Sequence, residues 1–180
     1  MTPRKKDPLL TAARLLLLAF IAVLGLAAAL VALAVPFVIA FQDRVLAEIA
    51  KEGIAVGPEF IGALALLLAG VAGLLALAVY FLILLRRIVL SVGEGDPFVP
   101  VNADRLARMG WLALAGQLAS IPIGGMAMWV AEIAQDSDKV HVGDDFGFDA
   151  GGILLTLILF ILARVFRQGA KMREELEGTV

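Results

Sequence analysis

The sequence predicts an all-α, polytopic membrane protein. Four transmembrane helices form two hairpins, both termini lie inside, and a short extracytoplasmic hairpin sits between helices three and four. Three observations predict it. Hydrophobic residues make up 61% of the 180 and charged residues 18%, whereas a soluble domain carries roughly 45–50% and about 25%. The apolar residues are gathered into four blocks, spans of about 15–38, 60–85, 109–132 and 151–167 within one domain covering 1–180, each near the ~20 residues that a bilayer crossing requires. Twelve of the fifteen Lys and Arg fall on one side of those blocks: Arg4, Lys5, Lys6, Arg14, Arg86, Arg87, Arg105, Arg108, Arg164, Arg167, Lys171 and Arg173. Only Arg44, Lys51 and Lys139 fall on the other side, and the positive-inside rule then places both termini and the central loop in the cytoplasm.

The composition also excludes chemistry. A net charge of −2 offers no global basic field for direct nucleic-acid binding. With no cysteine and a single histidine, disulfides, thiolate metal sites and His-built metal centres are ruled out. The polar groups at membrane depth reduce to Gln117, Ser120, Thr156 and Tyr80, so no catalytic, metal or cofactor site is expected and the chain does not read as an enzyme. No span carries a central charged residue of the kind that ion-coupled pathways use.

The first span runs from Leu15 to Val38 without a polar interruption. A signal peptide has an apolar region of about 7–15 residues, so this longer one reads as a retained helix although Ala32-Leu33-Ala34 resembles a cleavage site. Pro36 is expected to kink its outer end. Beyond it, Phe41, Val45, Leu46 and Ile49 oppose Gln42, Asp43, Arg44, Glu48 and Lys51, an amphipathic extension of the first helix that ends at Gly53.

Pro58 suits the first turn of the second helix, whose apolar run Phe60–Leu85 closes at Arg86 and Arg87. Gly62, Ala65, Ala69, Ala72 and Ala76 make a small-residue stripe in it, and Ala22, Gly25, Ala29 and Ala32 make another in the first helix. Such stripes let membrane helices approach closely, and these two are expected to face each other. The alternative is that alanine is simply abundant. Arg86–Arg108 then reads as a polar island, a loop ending where Asn102 or Asp104 caps the third helix.

The third helix extends to about Ile133, with Trp111 and Trp129 near its two ends as interfacial aromatics. Gln117, Ser120, Pro122, Gly124 and Gly125 fall in its middle. They form either a packing kink or a hinge lining a polar cavity, and Gln117 should face protein in both cases. Glu132–Gly152 is an acidic connection in which Val140-His141-Val142 and Phe146-Gly147-Phe148 alternate around Gly143-Asp144-Asp145, a hairpin pattern. Its carboxylates lack the order of a calcium loop and read as a solvated turn. The fourth helix starts near Gly151, and past Arg164 it continues as a mixed-charge helical tail through Arg167, Lys171, Glu174 and Glu175.

Gly95-Asp96-Pro97-Phe98-Val99-Pro100 with Asn102-Ala103, Met109-Gly110-Trp111, Leu162–Gly169 and the terminal Glu174–Val180 resemble a bacterial family of small four-helix membrane proteins, domain of unknown function 2975. The resemblance implies paired helical hairpins without known catalysis. Members are often encoded beside a small helix-turn-helix regulator, so it also implies a cytosolic transcription regulator as partner. Independently of the family, Gly93 and Gly95 permit turns, and Pro97 and Pro100 fix an extended segment that holds Phe98 between them.

Two groups of residues are therefore singled out. Asp96, Pro97, Phe98, Pro100, Asn102, Arg167, Glu174 and Glu175 form a candidate docking surface on the cytosolic face of the inner (plasma) membrane. Gln117, Ser120, Pro122, Gly124 and Gly125 form the candidate hinge or polar cavity. The functional expectation is a membrane-bound regulatory protein that docks a cytosolic regulator. The alternatives are a packing subunit of a larger complex, homo-oligomers included, and a small transporter.

Overall fold

The computed structural model describes residues 8–51, 53, 56–57, 59–94, 97–133 and 149–177. They form five helices: α1 (Pro8–Ala40), α2 (Gln42–Lys51), α3 (Glu59–Glu94), α4 (Pro100–Ile133) and α5 (Ala150–Glu177). Four of these, all but α2, are long and apolar enough to cross a membrane. This is a multi-pass membrane protein. Large apolar side chains stand exposed on every long helix, Leu16, Leu66, Leu118 and Leu157 among them, as expected of chains whose outer solvent is lipid.

The apolar blocks set where the helices are, and their ends depart from the sequence expectation. The polar island Arg86–Arg108 is mostly helix, because α3 runs nine residues past Leu85 to Glu94 and α4 already begins at Pro100. Arginine is a good helix former, and Ile88, one turn beyond Leu84, is drawn into the core. A charge on an apolar helix marks where it leaves the bilayer, not where it stops. At 36 residues, α3 is roughly 54 Å long at 1.5 Å per residue, well beyond a hydrocarbon core of about 30 Å. Neither Asn102 nor Asp104 caps α4: the helix starts on Pro100, and the Asn102 amide donates to Val99 O at 2.9 Å. Proline fits that first position because its missing N–H would have no intrahelical partner there.

The amphipathic extension of α1 is a separate short helix, α2. A one-residue break at Phe41 precedes it, although Phe41 N–H still reaches Phe37 O and Val45 N–H reaches Phe41 O, both at 3.0 Å. Phe37 and Phe41 stack at 4.6 Å and Arg44 lies over the Phe41 ring. Gly53 ends the segment at φ 79°, a conformation that favours glycine. The expected placement of Pro58 and the Val140–Phe148 hairpin fall outside the described residues, as do His141, Asp144 and Asp145.

The chain divides into two compact units. One comprises Met1–Leu24, Ala78–Ala115 and Ala150–Val180, the other Gly25–Leu77 and Gly116–Asp149. The first holds the main core: Leu84 and Ile88 from α3, Leu106 and Met109 from α4, Leu159 and Ala163 from α5. In it a side chain at Gly110 would meet the Phe160 ring at 3.0 Å, and Phe160 in turn makes a T-shaped contact with Trp111 at 5.4 Å. In the second unit Phe60, Ile61, Ala63 and Ala65 are buried, and a side chain at Gly70 would meet Ile123 at 2.8 Å.

The small-residue stripes do not mark the packed faces. Ala22, Ala29 and Ala32 of α1 are exposed, and so are Gly62, Ala69 and Ala76 of α3; only Ala65 is buried, with Gly25 and Ala72 half-buried. Both helices are apolar all round, so no polar side orients them and small residues at three–four spacing can be drawn on several faces.

Candidate functional site

The connection between α3 and α4 is built around Asn102, which is fully buried. Its Nδ2 donates to Ser91 Oγ at 2.7 Å and to Pro97 O at 2.9 Å. Its Oδ1 accepts from Arg105 Nη1 at 2.9 Å. Ser91 donates onward to Ile88 O at 2.7 Å, and Arg105 also reaches Arg87 O at 3.4 Å. One amide therefore ties the last turns of α3, the loop and the first turn of α4. Both of its donors and its acceptor are used, as a buried polar group requires.

Phe98, carried on this tethered loop, lies on α5. Its ring sits 5.1 Å from that of Phe166, and a side chain at Gly169 would meet it at 2.9 Å. Glycine at 169 is what lets the ring reach the α5 backbone. Beside it, Arg167 pairs with Asp104 at 3.2 Å, with both side chains more than half exposed, a geometry that contributes less than about 1 kcal/mol.

Thus five of the eight candidate docking residues, Pro97, Phe98, Pro100, Asn102 and Arg167, belong to one assembly of the first unit. Asp96 lies outside the described residues. Glu174 and Glu175 are exposed further along α5. Ser91, Arg105, Phe166 and Gly169 belong to the assembly too. Arg105, one turn after Asn102, was the partner most open to being anticipated from spacing.

The family model described as "Protein of unknown function (DUF2975)" matches residues 45–180, from within α2 through the whole of α3, α4 and α5. The chain belongs to this family. No curated protein and no solved structure matches it.

The second candidate set of this DUF2975 protein lies within α4, which stays helical through Pro122. Ser120 Oγ donates to Gln117 O at 2.7 Å, so its hydroxyl is spent on its own helix. Gln117 Nε2 reaches Asp149 O at 3.4 Å, while its Oε1 is buried without a partner. Gly124 is buried, whereas Pro122 and Gly125 are exposed. Thr156, another polar group at membrane depth, donates to Gly152 O at 2.8 Å.

Proposed function

We propose that this DUF2975 protein is a membrane-bound regulatory protein that docks a cytosolic helix-turn-helix regulator on α5 and the α3–α4 connection. The observation that carries the reading is the tail of α5. Lys171 to Leu176 are all exposed, and among their charges Met172 and Leu176 stand 59% and 70% exposed at i,i+4 spacing. Two apolar anchors one turn apart on a charged helix are what a groove in a partner recognises. The tethered loop would hold the base of that helix still, which lowers the ordering cost of binding. The class of partner comes from the family resemblance. Its cytosolic position comes from the charge asymmetry, with both termini at the cytoplasmic face of a bacterial inner membrane.

The first test is whether the adjacent reading frame encodes a small DNA-binding protein, and the second is whether that protein co-purifies with the full-length chain. Loss of a buried anchor costs roughly 2 kcal/mol, about thirtyfold in affinity. Met172→Ala with Leu176→Ala should therefore release the regulator and leave membrane insertion unchanged. Equal retention by wild type and variant rejects this docking surface. The reading as a packing subunit would then lead, favoured by the exposed small-residue face of α3 formed by Gly62, Ala69, Gly73 and Ala76.

A further inference from the structure

Two arginines of the first unit stand apart from the others. Arg14 of α1 and Arg86 of α3 are half-buried, and the Nε of each is sequestered without a hydrogen-bond partner. Among the described residues, Arg14 bonds only to Leu90 O at 3.5 Å, and Arg86 makes neither a hydrogen bond nor an ion pair. Arg86, Leu90 and Gly93 share one face of α3 at spacings of four and three. The Arg14 guanidinium meets that face tip-first: a side chain at Gly93 would overlap its Nη2. So one strip of α3 carries one arginine and seats another, and no carboxylate among the described residues answers them.

A half-buried guanidinium with an unmet donor is costly unless an anion completes it. The planar fork of arginine suits the oxygens of a phosphate, which can bridge two such groups. The backbone adds negative partial charge at the C-terminal turn of α3, which holds Arg14 in place but leaves most of its donors without a partner among the described residues. Leu18, one turn along α1 from Arg14, is exposed and offers apolar surface on the Arg14 side. A phosphate carrying acyl chains fits both parts.

We propose that Arg14 and Arg86 form a binding site for the phosphate headgroup of an anionic phospholipid, with its chain lying along α1. The site is distinct from the docking surface above, and its test reads lipid and not protein partners. Full-length protein in a non-ionic detergent is offered short-chain phosphatidylglycerol, phosphatidylcholine or inorganic phosphate. Bound lipid is counted by native mass spectrometry and the melting temperature is recorded.

Wild type should retain phosphatidylglycerol at least about tenfold more than phosphatidylcholine, the discrimination expected when charge-assisted bonds to the headgroup are made. Arg14→Gln with Arg86→Gln should abolish that preference. Arg108→Gln with Arg164→Gln should keep it, since those two arginines are exposed and carry the same charge outside the site. If the Arg14 variant does not fold, Arg86→Gln alone decides, because the Arg86 side chain makes no bond among the described residues. Equal loss in both double variants would show a diffuse charge effect and overturn the site, as would no loss in either. Protection by inorganic phosphate matching that by phosphatidylglycerol would overturn the lipid assignment.

Discussion

Asn102 makes three side-chain hydrogen bonds from a fully buried position, so its removal strands partners on two helices and a loop. Asn102→Ala is expected to destabilise the protein by about 1–3 kcal/mol, the cost of leaving buried polar groups unmet, read as a fall in melting temperature in detergent. Phe98 and Gly169 supply a sharper test. Gly169→Val puts methyl groups where the Phe98 ring lies and should lower stability by roughly 1–3 kcal/mol through overpacking. Phe98→Ala in the same chain should recover part of that loss, a coupling that a double-mutant cycle measures directly. The sequence singles out both Phe98 and Asn102, yet offers Asn102, or Asp104 in its place, as a helix cap. A cap is a local pattern that spacing can suggest, whereas the partners of the Asn102 Nδ2, Ser91 and Pro97, come from the last turns of α3 and from the loop.

At the scale of the elements, the four long helices were legible because each is an apolar block of bilayer length, but their ends were not. The stretch after Arg87 reads as a loop when charge is taken as a stop signal, and it is about two more turns of α3. Val89→Pro separates these readings: inside a helix it should cost about 3 kcal/mol or more, whereas a loop would absorb it, and urea or thermal unfolding in detergent distinguishes them. The choice of packed faces failed for a related reason. Helices α1 and α3 offer small residues in several directions, and it is contacts such as Gly70 against Ile123, set by the neighbouring helix, that select one.

For the whole molecule, charge is the most readable property. Of the described basic residues, Arg14, Arg86, Arg87, Arg105, Arg108, Arg164, Arg167, Lys171 and Arg173 lie in the first unit and only Arg44 and Lys51 in the second. The positive-inside rule turns this into a topology. A cysteine replacing Gln168, exposed on α5, should react with an impermeant maleimide only after permeabilisation, and one replacing Asp144 should react in intact cells. Reversed labelling would invert the protein and move the docking surface out of the cytosol. Function was the least legible level. The few polar side chains in the spans, Gln117, Ser120 and Thr156, form no pattern from which chemistry can be read, and a docking surface depends on partners that a single chain does not specify.

The Asn102 tether also has a consequence for the order of assembly during synthesis. Every group in its network, from Arg87 to Arg105, lies no more than eighteen positions apart along the chain, and all precede α5. The hairpin of α3 and α4 can therefore lock its own turn while the last helix is still in the ribosome. Leu84, Ile88, Leu106 and Met109 supply one half of the core from that hairpin, and α5 arrives last with Leu159, Ala163 and Gly169 to close it. The next step would then be the docking of α5 onto a finished seat, and the segment that displays the exposed Met172 and Leu176 would take its place only once α3 and α4 are in position.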